Sequence, residues 1–169
     1  MRDFPLSSAA LSAILLAATC MLHSCQAAAQ TVIVVRHGEK LDASPDPILS
    51  PQGDARAARL ADMLAASRIT TIYTTQYKRT VLLAAPTAKR MGVTPTVVDG
   101  KDTETLLAKI RAHAKDDVVL VVGHSNTVPA IIKGLGHSAP IVVREDEFDN
   151  LFIVAMKAKD VPTVVNLKY

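Results

Sequence analysis

The sequence predicts a three-layer α/β/α sandwich built on a mostly parallel sheet, and three observations lead there. Val32-Ile33-Val34-Val35 and Val118-Val119-Leu120-Val121-Val122 are apolar at every position, as strands are when helices cover both faces of their sheet. Both runs end at a glycine-flanked histidine, in Arg36-His37-Gly38-Glu39 and in Gly123-His124-Ser125-Asn126. Around them, short β-branched runs alternate with stretches of helical periodicity, the pattern of strand–helix–strand units.

After the first strand, the proline-rich polar segment Lys40 to Leu49 reads as a surface loop. Ser50-Pro51 has the form of an N-cap followed by proline at the first helical position. Ala57, Leu60, Ala61 and Leu64 follow at helical spacing, with Arg56, Arg59 and Asp62 opposite. Ile69 to Thr74 predicts a strand. A helix from Lys78 carries Val81, Leu82 and Ala85, is kinked at Pro86 and ends at Gly92. Val93 to Val98 predicts a third strand, with a turn at Asp99-Gly100. Asp102 or Thr103 caps a helix bearing Leu106, Leu107, Ile110 and Ala114. After the second histidine strand, a helix with Val128, Ile131, Ile132 and Leu135 closes at Gly136. Leu151 to Met156 and Val161 to Leu167 predict two final strands, antiparallel around Lys159-Asp160.

The amino terminus has the layout of a secretory signal. Arg2 precedes an uncharged apolar stretch from Leu6 to Leu22, and Ala27-Ala28-Ala29 offers small residues for cleavage. Residues 1–29 are therefore expected to be a signal peptide and 30–169 one domain, with a periplasmic or secreted location. Leu22-His23-Ser24-Cys25 also resembles a lipobox, so a rival reading attaches the protein to a membrane through a lipid on Cys25. An uncleaved anchor is a third reading, but the apolar stretch is short for a span. Both cysteines, Cys20 and Cys25, fall in this segment, so no disulfide framework is available to the domain. The net charge of +3, with no long basic run or aromatic ladder, argues against a nucleic-acid partner.

Chemistry concentrates at the strand ends, where open α/β sheets hold their ligands. Either histidine alone reads as a surface or satisfied core residue. As ends of neighbouring strands, His37 and His124 would meet. Arg36 lies beside His37, and Arg79 lies in the first turn of the helix that follows Tyr73-Thr74. Two guanidiniums and two imidazoles near a helix N-terminus suit an oxyanion, because forked donors match its oxygens and the helix dipole favours negative charge. A metal site formed by His37, Glu39 and His124 is disfavoured by the two arginines, which repel a cation.

Val35-Arg36-His37-Gly38-Glu39, then Leu49-Ser50-Pro51-Gln52-Gly53, then Tyr73-Thr74-Thr75 with Arg79-Thr80, then Val122-Gly123-His124-Ser125 resemble, in order, the histidine phosphatase superfamily, whose fold is phosphoglycerate mutase-like. The resemblance runs from about Thr31 to Asn166 and is to the small, compact branch. It implies that His37 is the nucleophile and forms a phosphohistidine. Arg36, Arg79 and His124 would hold the phosphoryl oxygens, with Gly38 and Ser125 as further substrate contacts; if charged, the His124 imidazole would help to hold the phosphate. It implies no metal and no cofactor, and the expected export favours a small phosphorylated substrate.

The proton donor departs from the pattern. Many relatives carry a Leu-x-Glu signature after the third strand, whereas this chain has Val98-Asp99-Gly100-Lys101-Asp102-Thr103-Glu104. Glu104 is favoured over Asp99 as the acid, while a first-turn helix carboxylate and a turn residue account for them equally well. Glu39 and Lys40 read equally as substrate contacts or as an exposed loop pair. Gly53 reads as a close-approach position and Asn150 as a turn residue, with an approach to the site as its alternative; neither His113 nor His137 is assigned a function. The expected activity is hydrolysis of phosphate monoesters by an exported enzyme. The alternatives are a phosphoprotein or phosphohistidine phosphatase of the same fold, and a non-catalytic module that binds phosphate ligands.

Overall fold

The computed structural model describes residues 29–157 and 160–169. All but Ala29 of the expected signal segment, Cys25 included, lies outside the described residues, as does Lys159 of the expected final turn. The described chain forms β1 (Thr31–Arg36), α1 (Pro51–Met63), β2 (Thr71–Thr74), α2 (Lys78–Met91), β3 (Thr96–Val97), α3 (Thr103–Arg111), β4 (Val118–Gly123), α4 (Thr127–Gly134), β5 (Asn150–Ala155) and β6 (Thr163–Lys168). One six-stranded sheet has the order β3-β2-β4-β1-β5-β6. The pairs β3–β2, β2–β4 and β4–β1 are parallel, and β5 and β6 extend the sheet antiparallel.

The alternation of β1 and β4 explains the three layers. Val32, Val34, Val119 and Val121 pack with Leu106, Leu107 and Ile110 of α3 and with Val128, Ile131 and Ile132 of α4. Ile33, Val35, Leu120 and Val122 face the other way, against Ala57 and Leu60 of α1 and Leu83 and Ala84 of α2. Successive strand side chains point to opposite faces, so a strand between two helical layers has no polar position to give.

Ser50 caps α1 as expected, its hydroxyl accepting from the Gly53 N–H at 3.2 Å, with Pro51 in the first turn. Asp102 caps α3 in the same way, accepting from the Thr105 N–H at 2.9 Å. Gly92 ends α2 with φ 66°, a left-handed conformation that glycine adopts without penalty.

Three expectations change. The buried face of α2 is Thr80, Leu83, Ala84, Thr87 and Ala88, while Val81 and Leu82 are each 38% exposed. Two buried threonines disguise the face that hydrophobicity alone would choose. Strand β3 is two residues long rather than six, and it pairs with β2 only through Thr96 and Val97 at the sheet edge. Asn150 opens β5 and is buried, bonded to Asn166, rather than standing in a turn.

Candidate active site

The parallel register sets Arg36 opposite Gly123, so His37 and His124 leave adjacent strands at one level. The His37 N–H donates to the Gly123 carbonyl at 3.0 Å, and the two rings meet edge to face with centroids 5.2 Å apart. A cavity of about 300 Å³ opens above them, lined by Arg36, His37, Arg79, His124, Ser125 and Glu145 among others. Lys40 and Lys101, both exposed, also line it. The sheet edge thus delivers His37, His124, Arg36, Arg79 and Ser125 to a single space.

Hydrogen bonding decides which nitrogen of His37 can react. Its Nδ1 lies 2.7 Å from the Gly38 carbonyl oxygen. A carbonyl only accepts, so Nδ1 carries the proton and the lone pair is left on Nε2. Burial pushes the His37 pKa down to about 3, and His124, Arg79 and Arg36 push it the same way. The ring is therefore neutral, as a nucleophile must be.

His124 is fixed by a relay. The Thr80 hydroxyl lies 2.8 Å from the Tyr77 carbonyl and 3.1 Å from that of Thr75, and donates to one of them. Thr75 Oγ1, 2.9 Å from Thr80 Oγ1, must then supply the hydrogen of that contact. His124 Nε2, 3.1 Å from Thr75 Oγ1, donates in turn. Burial lowers the His124 pKa to about 4, with the charges of Arg79 and Arg36 adding to it. Without a ligand the ring is thus neutral at pH 7, and the charge that would help it hold phosphate requires an anion beside it to stabilise the imidazolium.

The two guanidiniums carry free donors. Arg36 Nε and Arg79 Nε are buried and have no hydrogen-bond partner among the described residues. Buried N–H groups are rarely left without a partner, and two together beside two imidazoles mark a place for oxyanion oxygens. Each arginine lies over an aromatic ring, Arg36 over Phe148 at 4.2 Å and Arg79 over Tyr77 at 4.4 Å. The same rings flank the histidines, Phe148 beside His37 and Tyr77 beside His124.

Arg36 also fastens a turn. Its Nη1 donates to the carbonyls of Arg144 at 2.7 Å and Glu147 at 3.1 Å, and its Nη2 meets Glu145 Oε2 at 2.8 Å. The other Glu145 oxygen accepts from the Ser125 hydroxyl. Glu145, Phe148, Tyr77 and Lys101 are the site residues that sequence reasoning missed. One signal was available for the aromatics: the chain has only three Phe, three Tyr and no Trp, and two of those six rings stand here.

Other singled-out residues lie elsewhere. Glu39 is held by Arg56 in a forked pair, with contacts of 2.6 to 3.1 Å, and Arg56 Nη1 reaches the Tyr169 carbonyl at 2.9 Å. That removes Glu39 from any ligand set. Gly53 is a close approach: a Cβ there would stand 2.5 Å from the Glu39 carbonyl oxygen. Asp99 lines a neighbouring crevice and accepts from Gln76 Nε2 at 3.4 Å and from the Lys101 N–H at 2.9 Å. Glu104 is exposed in the first turn of α3 and does not line the histidine cavity. His113 joins Tyr73 to Asp117 in a structural bridge.

Residues 32–102 match the sequence model of the histidine phosphatase superfamily (branch 1). The matched part of the chain holds Arg36, His37 and Arg79. No curated protein matches it in sequence. Solved structures of the histidine phosphatase fold do match in shape. Mycobacterial glucosyl-3-phosphoglycerate phosphatase aligns with a TM-score of 0.66 at 13% identity, over 82% of this chain and 97% of that one. The protein histidine phosphatase SixA, complexed with tungstate, aligns at 0.66 and 18% identity, over 82% and 96%. Phosphoserine phosphatase from Entamoeba histolytica, in complex with 3-phosphoglyceric acid, aligns at 0.65 and 15% identity, over 83% and 97%. The architecture is therefore phosphoglycerate mutase-like, with a mostly parallel sheet.

Proposed function

We propose that this chain is a phosphatase that hydrolyses phosphate monoesters through a phosphohistidine on His37. One observation carries the reading: the Nδ1 bond to Gly38 leaves the His37 Nε2 lone pair free, in a cavity shared with two guanidiniums whose Nε–H groups have no partner among the described residues. Phosphate oxygens would accept from Arg36 and Arg79, while the bond from His37 Nε2 to phosphorus forms and the ester P–O bond breaks. A water would then displace phosphate from the histidine. Catalysis of this kind rests on positioning and charge stabilisation, and the arginines supply the positive charge that a metal would otherwise bring. Two of the similar structures hold an oxyanion or a phosphate ester, tungstate in one and 3-phosphoglyceric acid in the other.

The cavity is at the small end for ligand sites, and Lys40 and Lys101 on its lining favour a compact, multiply charged ester. Export remains part of the proposal, resting on the signal-like residues 1–29; N-terminal sequencing of the mature protein checks it, and an intact Met1 in exported material would reject cleavage after Ala29. The activity is tested with p-nitrophenyl phosphate in excess chelator. Turnover that tungstate inhibits competitively is expected. Binding of phosphate without turnover between pH 4 and 8 would replace the enzyme by the binding module, and loss of turnover on chelation would reject metal independence.

A further inference from the structure

The cavity contains a carboxylate that no part of the sequence reading assigned. We propose that Glu145, from the turn before β5, is the acid–base residue of phosphoryl transfer, giving a proton to the leaving oxygen and taking one from the attacking water. This rests on the phosphatase reading above. Among the described residues lining the histidine cavity, Glu145 is the only acid. The two carboxylates suggested by sequence are elsewhere: Asp99 is bonded into the neighbouring crevice, and Glu104 lies exposed on α3.

The position of Glu145 is built, although its side chain is 83% exposed. Arg36 Nη1 ties down the carbonyls on either side of it, at Arg144 and Glu147. The Arg144 N–H donates to Glu147 at 3.0 Å, which closes the turn. The carboxylate itself then spans Ser125 on the β4–α4 loop and Arg36 on β1. Both partners line the cavity, so the acid stands where a bound ester would meet it.

Its protonation follows from its neighbours. The Ser125 hydroxyl and the Arg36 charge hold Glu145 ionised below the usual glutamate range. Around it are Arg36 of β1 and His37 just after it, Ser125 after β4, Arg144 and Asp146 of its own turn, and Arg79, His124, Lys40 and Lys101 of the same cavity. A phosphate dianion docked on Arg36 competes for that charge and places negative charge beside the carboxylate. Both effects raise its pKa, so proton uptake accompanies substrate binding. As the bond from His37 Nε2 to phosphorus forms and the P–O bond breaks, the Glu145 proton passes to the leaving oxygen. When water attacks the phosphohistidine, its proton returns to Glu145, an O–P bond forms and the N–P bond breaks. The acid is regenerated.

The test compares Glu145→Gln with the unaltered chain on two esters, an alkyl phosphate and 2,4-dinitrophenyl phosphate. An alkoxide leaves poorly without a proton, whereas dinitrophenolate does not need one. Expected for the variant is a fall in kcat/KM of roughly a hundredfold or more on the alkyl ester, a change of only a few-fold on the dinitrophenyl ester, and accumulation of phosphoenzyme. Equal losses on both esters would overturn the proposal in favour of a role through Arg36. Faster turnover of both, with tighter phosphate binding, would overturn it in favour of a carboxylate that merely competes for the anion site. If the unaltered chain turned over neither ester, the phosphatase reading itself would fail.

Discussion

At the scale of single residues, the two histidines are placed to be neutral, and this costs stability in acid. Their folded pKa values are about 3 and about 4, against about 6.5 for an unfolded histidine. The unfolded chain therefore binds protons that the folded chain refuses. The stability that both rings contribute is complete above about pH 6.5 and is lost as the pH falls towards 4 and then 3. Each ring can remove up to about 1.4 kcal/mol per pH unit across its window. Unfolding midpoints measured from pH 8 to 4 should be level at first and then decline below about 6.5, with a shallower decline in His37→Gln. A midpoint unchanged down to pH 4 would mean that the rings are not buried as described.

At the scale of elements, the loop that follows β1 and carries His37 is held by the helix after it. Gly38 and Gly53 lie back to back: a Cβ on Gly38 would stand 3.2 Å from the Gly53 Cα, and one on Gly53 would strike the Glu39 backbone. The Glu39–Arg56 pair then clamps loop to helix. Gly53→Ala should force the loop outward, lowering stability by about 1–3 kcal/mol as overpacking does. It should also lower kcat without a comparable rise in KM for a phosphate ester, since His37 would shift relative to bound phosphate. Chemical denaturation and steady-state kinetics would check this, and an unperturbed variant would contradict the close packing. Gly53 and its role were legible because glycine two residues into a helix, after Ser50-Pro51, has little other purpose. The face of α2 was not legible, because Thr80 looks like a surface residue until its bonds to Thr75 and Tyr77 are seen.

At the scale of the whole molecule, the site exists because β1 and β4 are neighbours although three helices and two strands separate them in the chain. Fully apolar strands ending in Arg36-His37 and in His124 announced that adjacency, since only such a pairing gives both histidines a common purpose. Nothing in the local pattern announced Glu145. It belongs to a turn with no regular structure, and it reaches the cavity through the Arg36 bonds to the Arg144 and Glu147 carbonyls, contacts that span more than a hundred residues. Familiar spacing points only to Asp99 and Glu104, while the carboxylate beside Arg36 comes from near the carboxyl end. The central claim is that His37 Nε2 takes the phosphoryl group. It is tested most directly by quenching the chain during turnover of a phosphate ester and locating the bound phosphate. An acid-labile, base-stable phosphate on His37, lost in His37→Ala while the fold persists, is the expected result; phosphate on another residue, or its retention in His37→Ala, would contradict the account.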